Sequence, residues 1–225
     1  NISSHAYFEI DTVDLNLERL NRAWQQLVDH HDLLRAVVLP NGQQQILEQV
    51  PPYAFEILDL RHESPQTITT QLETIREQMS HQVLSTNQWP LFEIRASVLD
   101  EKRIRLHLSI DAIIADAWSL ILIGQQWLHL YRHPDQSLPK LDLSFRDYVL
   151  AASAFKETPE YQRSKHYWLN RLHTLPPAPE LPLTRNLAST PEPQFQRRSA
   201  QLLPQEWQQL KQKTVQGNLT PSIVL

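Results

Sequence analysis

The segment Ser109–Leu120, SIDAIIADAWSL, sets two carboxylates, Asp111 and Asp116, five positions apart in an otherwise apolar run, with Ser119 three residues further on. Carboxylates in such a place suit proton transfer: an ionised one orients an amine or takes a proton, and one with a raised pKa donates. Burying a carboxylate without a partner is costly, so each must be held by something. Structural roles compete with the chemical one. Asp116 precedes a helix expected from about Ala117, where its side chain could cap free amides at the positive end of the dipole. A buried arginine could hold either acid. Ser119, in the first helical turn, could cap, pack or touch substrate.

The elements around these residues are legible from periodicity. Ile104, Leu106, Leu108 and Ile110 alternate with Arg103, Arg105, His107 and Ser109, the signature of a strand with one apolar face. The two acids therefore lie on a turn that leaves a strand and enters a helix, a common position for catalytic groups. Further strands are expected at residues 5–10, 55–58, 91–99 and 194–203. A hairpin is expected over 34–39 and 44–47, around Asn41-Gly42. Helices are expected at about 16–31, from 65 after Ser64-Pro65, and at 117–131, 145–155, 161–172 and 204–215. The proline-rich stretch Leu175–Leu183 must be extended. This mixture of helices and strands gives an α/β or α+β class.

Composition narrows the function. The 225 residues are 41% hydrophobic and 20% charged, with a net charge of -4, so no basic field invites nucleic acid or an anionic membrane. No apolar run reaches the roughly 18 residues a membrane-spanning helix needs, and no signal peptide opens the sequence. Cysteine is absent, which removes disulfides, cysteine–zinc sites and thiol nucleophiles and suits a cytoplasmic location. With three glycines, the phosphate-cradling loops GxGxxG and GxxxxGK are missing too. The sequence starts without methionine and stops within Thr220–Leu225, where Thr220-Pro221 announce a helix with no body, so a piece of a longer polypeptide is expected.

Other candidates are weaker. His129 and His133 have the i, i+4 spacing of two metal ligands, but they close a helix before Pro134 with no obvious third ligand, so no metal is expected. His30-His31 also end a helix, where histidine complements the dipole. Trp24, Trp118 and Trp168 fall among apolar helix positions and read as core.

The spacing Asp111-x4-Asp116-x2-Ser119 resembles the signature of heterocyclization domains, the cyclizing branch of the condensation-domain superfamily of nonribosomal peptide synthetases. Ordinary condensation domains carry His-His-x3-Asp-Gly at this point; here Asp111 and Ala112 stand in for the histidines and Asp116-Ala117 for Asp-Gly. The resemblance extends along the chain, in the family's order. It takes in His31–Val37, Trp89–Ala96, Arg105–Ser109, Phe145–Tyr148, Tyr167–Leu172, Leu175–Pro179 with Leu181–Leu183, and Arg197-Arg198. The fold it implies is similar to chloramphenicol acetyltransferase: two related lobes in a V, each a mixed sheet flanked by helices, with the site at their junction. Residues 1–180 would be the amino-terminal lobe. Residues 181–225 would be a connecting segment and the first elements of the second lobe.

The resemblance also implies a chemistry. Such domains join a carrier-bound acyl or peptidyl thioester to cysteine, serine or threonine on a second carrier, then close the side chain onto the new amide and expel water. The product is a thiazoline or oxazoline. The substrates would ride on 4'-phosphopantetheine arms of donor and acceptor peptidyl carrier proteins, with no cofactor on the domain itself and neighbouring synthetase domains as partners. With Ala112 in the place of the second histidine, and His107 five residues upstream on the strand, Asp111 is the ionisable group at the front of the motif. The resemblance pairs Asp116 with an arginine, for which Arg35 is the best candidate. The alternatives are a non-catalytic scaffold that docks carriers, or an ordinary amide-forming condensation domain.

Overall fold

A computed structural model describes residues 5–179, 182 and 200–224. The chain divides into two compact units, Asn1–Glu180 and Leu181–Leu225.

The first unit is built on a four-stranded sheet. Strand β1 (His5–Val13) leads to helix α1 (Leu17–His30), a 3-10 turn (Asp32–Arg35) and a small hairpin of β2 (Ala36–Val38) and β3 (Gln44–Ile46). Strand β4 (Glu56–Asp59), helix α2 (Pro65–His81), strands β5 (Phe92–Val98) and β6 (Arg103–Asp111), and helices α3 (Ala117–Arg132), α4 (Phe145–Phe155) and α5 (Pro159–Arg171) follow. The order across the sheet is β1-β6-β5-β4; β4 runs parallel to β5 and the other neighbours are antiparallel. This is a mixed sheet flanked by helices, as the family resemblance implied. The second unit, among the described residues, holds helices α6 (Pro204–Gln216) and α7 (Pro221–Val224).

Local chemistry sets the helix starts. Asn16, Ser64, Asp116, Ser144 and Thr158 each accept a hydrogen bond from the backbone N–H three residues on, satisfying amides the helix leaves unpaired. Pro65 and Pro159 stand at first helical positions, where the missing N–H costs nothing. At the hairpin, Gly42 adopts a positive φ of 80°, which a side chain would resist.

The two faces of the sheet differ. Ile94, Ala96, Leu106, Leu108 and Ile110 form the main core with Trp24 and Leu27 of α1 and Ile123 and Trp127 of α3. Trp24 packs edge-on against Phe92, ring centroids 5.1 Å apart, and lies 4.8 Å from Trp127. On the other face, Tyr7 of β1 clusters with Ile75 and Met79 of α2. Of the tryptophans expected in the core, only Trp24 is there. Trp118 is 79% exposed, because it lies about 140° and 180° around α3 from the buried Ile123 and Trp127. Trp168, on α5, is also exposed.

Two expectations differ in detail. Leu34 and Arg35 belong to the 3-10 turn rather than to the hairpin strand. Of the strand expected over 194–203, residues 200–203 have no regular structure and 194–199 lie outside the described residues, as do Arg197 and Arg198. Residues 176–179 carry no helix or strand, in keeping with their prolines.

Candidate active site

The motif loop is shaped by its two acids acting on their own backbone. Asp111 closes β6, where its N–H donates to the Leu91 carbonyl (3.0 Å) and its carbonyl accepts from Ile114 N–H (3.1 Å). Its carboxylate accepts from Ile113 N–H at 3.0 Å, a local turn of the kind Asp favours. The side chain is buried, with only 5% of the residue exposed. Ala112, in the place of a histidine in ordinary relatives, is exposed.

Asp116 is the exposed N-cap of α3. One carboxylate oxygen accepts from Ser119 N–H (2.8 Å) and from Ser119 Oγ–H (2.7 Å). These bonds favour the charged form and hold its pKa below the ordinary carboxylate range, the Ser119 backbone N–H foremost. A carboxylate held so firmly ionised accepts hydrogen bonds but has no proton to give near neutrality. Asp116 and Ser119 thus cap the helix together.

The expected pair between Arg35 and Asp116 is corrected by the structure. Arg35 is spent at the end of α1. Its Nη1 donates to the Val28 and Asp29 carbonyls (2.6 and 2.7 Å), its Nε to the Leu47 carbonyl (3.1 Å) and its Nη2 to the Asp32 carboxylate (2.9 Å). The last carbonyls of a helix need donors, and a guanidinium fork at the negative dipole end supplies them. Arg35 therefore ties α1 to the hairpin, and its ion pair among the described residues is with Asp32, three positions away.

His107 is the titratable group whose setting the sequence did not reveal. It shares a strand face with Ser109 and Asp111, fully buried under α2. Tyr7 Oη donates to the Glu9 carboxylate (3.0 Å), so at its 2.9 Å contact with His107 Nδ1 the hydroxyl accepts. Ser97 Oγ then donates to His107 Nε2 at 3.1 Å. This fixes a neutral imidazole with its proton on Nδ1. Burial holds its pKa down at about 4. Glu9 closes the network with a two-point ion pair to Arg76 of α2 (2.6 and 2.7 Å). Burial pushes Glu9 up, yet the bonds from Arg76 and Tyr7 bring it below its ordinary pKa. The alternation of β6 marked His107 as belonging to a polar face, but its burial depends on a helix some 30 residues earlier.

Among the described residues no group of three or more His, Asp or Glu could hold a metal ion. The His129 and His133 rings lie 5.0 Å apart at the end of α3. No helix of the described residues is long and apolar enough to cross a membrane.

Comparison with known proteins places this geometry. Residues 3–221 match the condensation domain family. Over 212 residues the chain is 38% identical to bacitracin synthase 1 of Bacillus licheniformis, covering 94% of this chain and 4% of that protein. Over 205 residues it is 32% identical to pyochelin synthetase PchF of Pseudomonas aeruginosa, covering 91% of this chain and 11% of that protein. Its fold superposes on the EpoB cyclization-docking bidomain of Sorangium cellulosum, a nonribosomal peptide synthetase fragment. The TM-score is 0.86 at 40% identity, over 98% of this chain and 45% of the other. The chain thus spans a small part of these synthetases and under half of the solved bidomain.

Proposed function

The chain belongs to the condensation-domain family, and from that premise we propose that it is part of a heterocyclization domain of a nonribosomal peptide synthetase. Residues 1–180 act in this reading as the amino-terminal lobe, and residues 181–225 as the connecting segment and first elements of a second. Together with that second lobe, the domain joins a carrier-bound acyl thioester to cysteine, serine or threonine on another carrier and closes the ring with loss of water. Donor and acceptor peptidyl carriers, their 4'-phosphopantetheine arms and the neighbouring synthetase domains are the partners. One observation carries the reading: the motif position of an imidazole is filled by Ala112, and the strand ends instead on the carboxylate of Asp111, inside a chain 98% of which aligns with part of a cyclization-docking bidomain.

The residues divide the work. Amide formation needs a neutral amine held against a thioester carbonyl. An α-amino group has a pKa of about 7.7–8.0, so positioning supplies much of that rate. Cyclodehydration needs a proton for the departing oxygen and a base for the incoming thiol or hydroxyl. Asp116, held ionised, is not the donor; with Ser119 it fixes the start of α3 and presents a negative charge that orients the acceptor amine. Asp111 is the group assigned to proton transfer in the cyclizing step, anchored by Ile113 N–H. His107, neutral and enclosed, stays out of the reaction.

The test loads an acyl group on the donor carrier and cysteine on the acceptor of the intact synthetase, and follows the products by mass spectrometry. Amide followed by a product lighter by one water supports the proposal. Amide that never loses water makes the domain a plain condensation catalyst, and no transfer makes it a scaffold.

A further inference from the structure

A cavity of about 380 Å³ opens beside the motif loop, between the end of α1, the first two turns of α3 and the segment leading into α4. Its wall includes Ser119 and Ile114, so it is continuous with the loop that carries the two acids. Most of its polar lining is already engaged. Ser119 Oγ donates to Asp116, Asp32 accepts from Arg35, and Asp29 accepts from Gln25. His31 Nε2 donates to Gln126 Oε1 (2.5 Å), and Ser144 closes a capping box with Asp147. Lys140 is a charged lining residue without a described partner, and its long stem lets the ammonium reach water. His30 also lines the cavity, and its buried Nε2 has no hydrogen-bond partner among the described residues. Apart from that one nitrogen, what the cavity offers an occupant is mainly apolar: Leu34, Ile114, Leu122, Ile123, Leu141 and Phe145. A polar group entering it beyond reach of His30 Nε2 would lose its water contacts without replacement, while an apolar one gains about 25 cal/mol for each Å² it buries.

Size decides which substrate fits. At about 30 Å³ per water, the cavity holds roughly a dozen waters, and it falls at the small end of ligand pockets. The side chain of an acceptor cysteine, serine or threonine has two or three heavy atoms and would leave most of that space wet. An acyl group of about ten heavy atoms would fill it. We propose that this cavity receives the apolar body of the donor acyl group and so selects the donor, an inference that rests on the heterocyclization reading above.

The experiment uses the intact synthetase with octanoyl or acetyl on the donor carrier and cysteine on the acceptor. Leu122, half-exposed on α3, is replaced by tryptophan to fill the cavity, and Leu143→Trp, at a well-exposed position, serves as a second filler. Each variant's thermal melt checks its folding. In parallel, calorimetry measures binding of the N-acetylcysteamine thioesters of octanoate and acetate, which does not depend on turnover. The expected result is at least a tenfold loss of octanoyl transfer and octanoyl probe binding in both variants, with acetyl transfer and the cysteine dependence unchanged. Equal loss for both acyl groups, or unchanged octanoyl binding, overturns the proposal. If the wild type makes no amide but binds the octanoyl probe, and L122W loses that binding, the pocket stands and the heterocyclization reading falls.

Discussion

Replacing His107 by glutamine should flatten the acid sensitivity of the fold. The native imidazole is neutral, with a pKa of about 4 against 6.5 for an unperturbed histidine, because full burial disfavours its charge. As pH falls past 6.5 the unfolded chain takes up the proton first, while the native state refuses it until about pH 4. Stability from this group is thus lost between pH 6.5 and 4, and not further below. At 1.36 kcal/mol per unit, the whole shift is worth about 3 kcal/mol, of which about 2 kcal/mol is spent between pH 7 and 5. Urea unfolding of the chain, read by fluorescence of the buried Trp24 and Trp127, measures it at pH 7, 6 and 5. Glutamine can still bond Tyr7 and Ser97, so His107→Gln should cost about 1–3 kcal/mol at pH 7 and lose about 2 kcal/mol less than the wild type on going to pH 5. Glu9, Asp11 and Asp116, whose pKa values are lowered, lose their stabilising charge below their unfolded values near 4, outside that window. Parallel curves for wild type and variant would refute the neutral, buried assignment.

Four further outcomes follow from named contacts. Arg35→Ala strips donors from the carbonyls closing α1 and should destabilise the first unit by about 2–4 kcal/mol in urea unfolding. Asp116→Ala removes a cap worth about 1 kcal/mol, and the double mutant should be additive within about 0.5 kcal/mol; coupling of several kcal/mol would restore the pair that the structure dissolves. Trp24→Ala, at the centre of the aromatic core, should cost about 3–5 kcal/mol. Glu9→Gln should weaken the tie between β1 and α2, seen as faster amide exchange in α2 with α1 and α3 unaffected.

What the sequence revealed is what is local. Strand β6 is legible because Ile104 to Ile110 alternate, and a period of two fixes which face meets the core. The helix starts are legible because Asn16, Ser64, Ser144 and Thr158 act on backbone only three residues away. Asp116 was readable in the same way, and its capping role is the one the structure shows. The setting of Arg35 was not readable, since three of its four bonds depend on how α1 ends and where Leu47 returns. Likewise the alternation of β6 does not show what covers its polar face, where Glu9 and Arg76, 67 residues apart, meet beside the buried His107. The cavity beside Ser119 is equally invisible in the sequence: its walls come from three segments that no periodicity connects.

The central claim is that Asp111 replaces an imidazole as the proton-transfer group of a ring-forming domain. Asp111→Asn tests it most directly, because an amide oxygen still accepts from Ile113 N–H while the charge and the exchangeable acid are gone. In the intact synthetase, the ratio of cyclized to open amide product, followed over time by mass spectrometry, should fall about 10²–10⁴-fold, with open amide accumulating. Cyclized product formed at the wild-type rate would contradict the account.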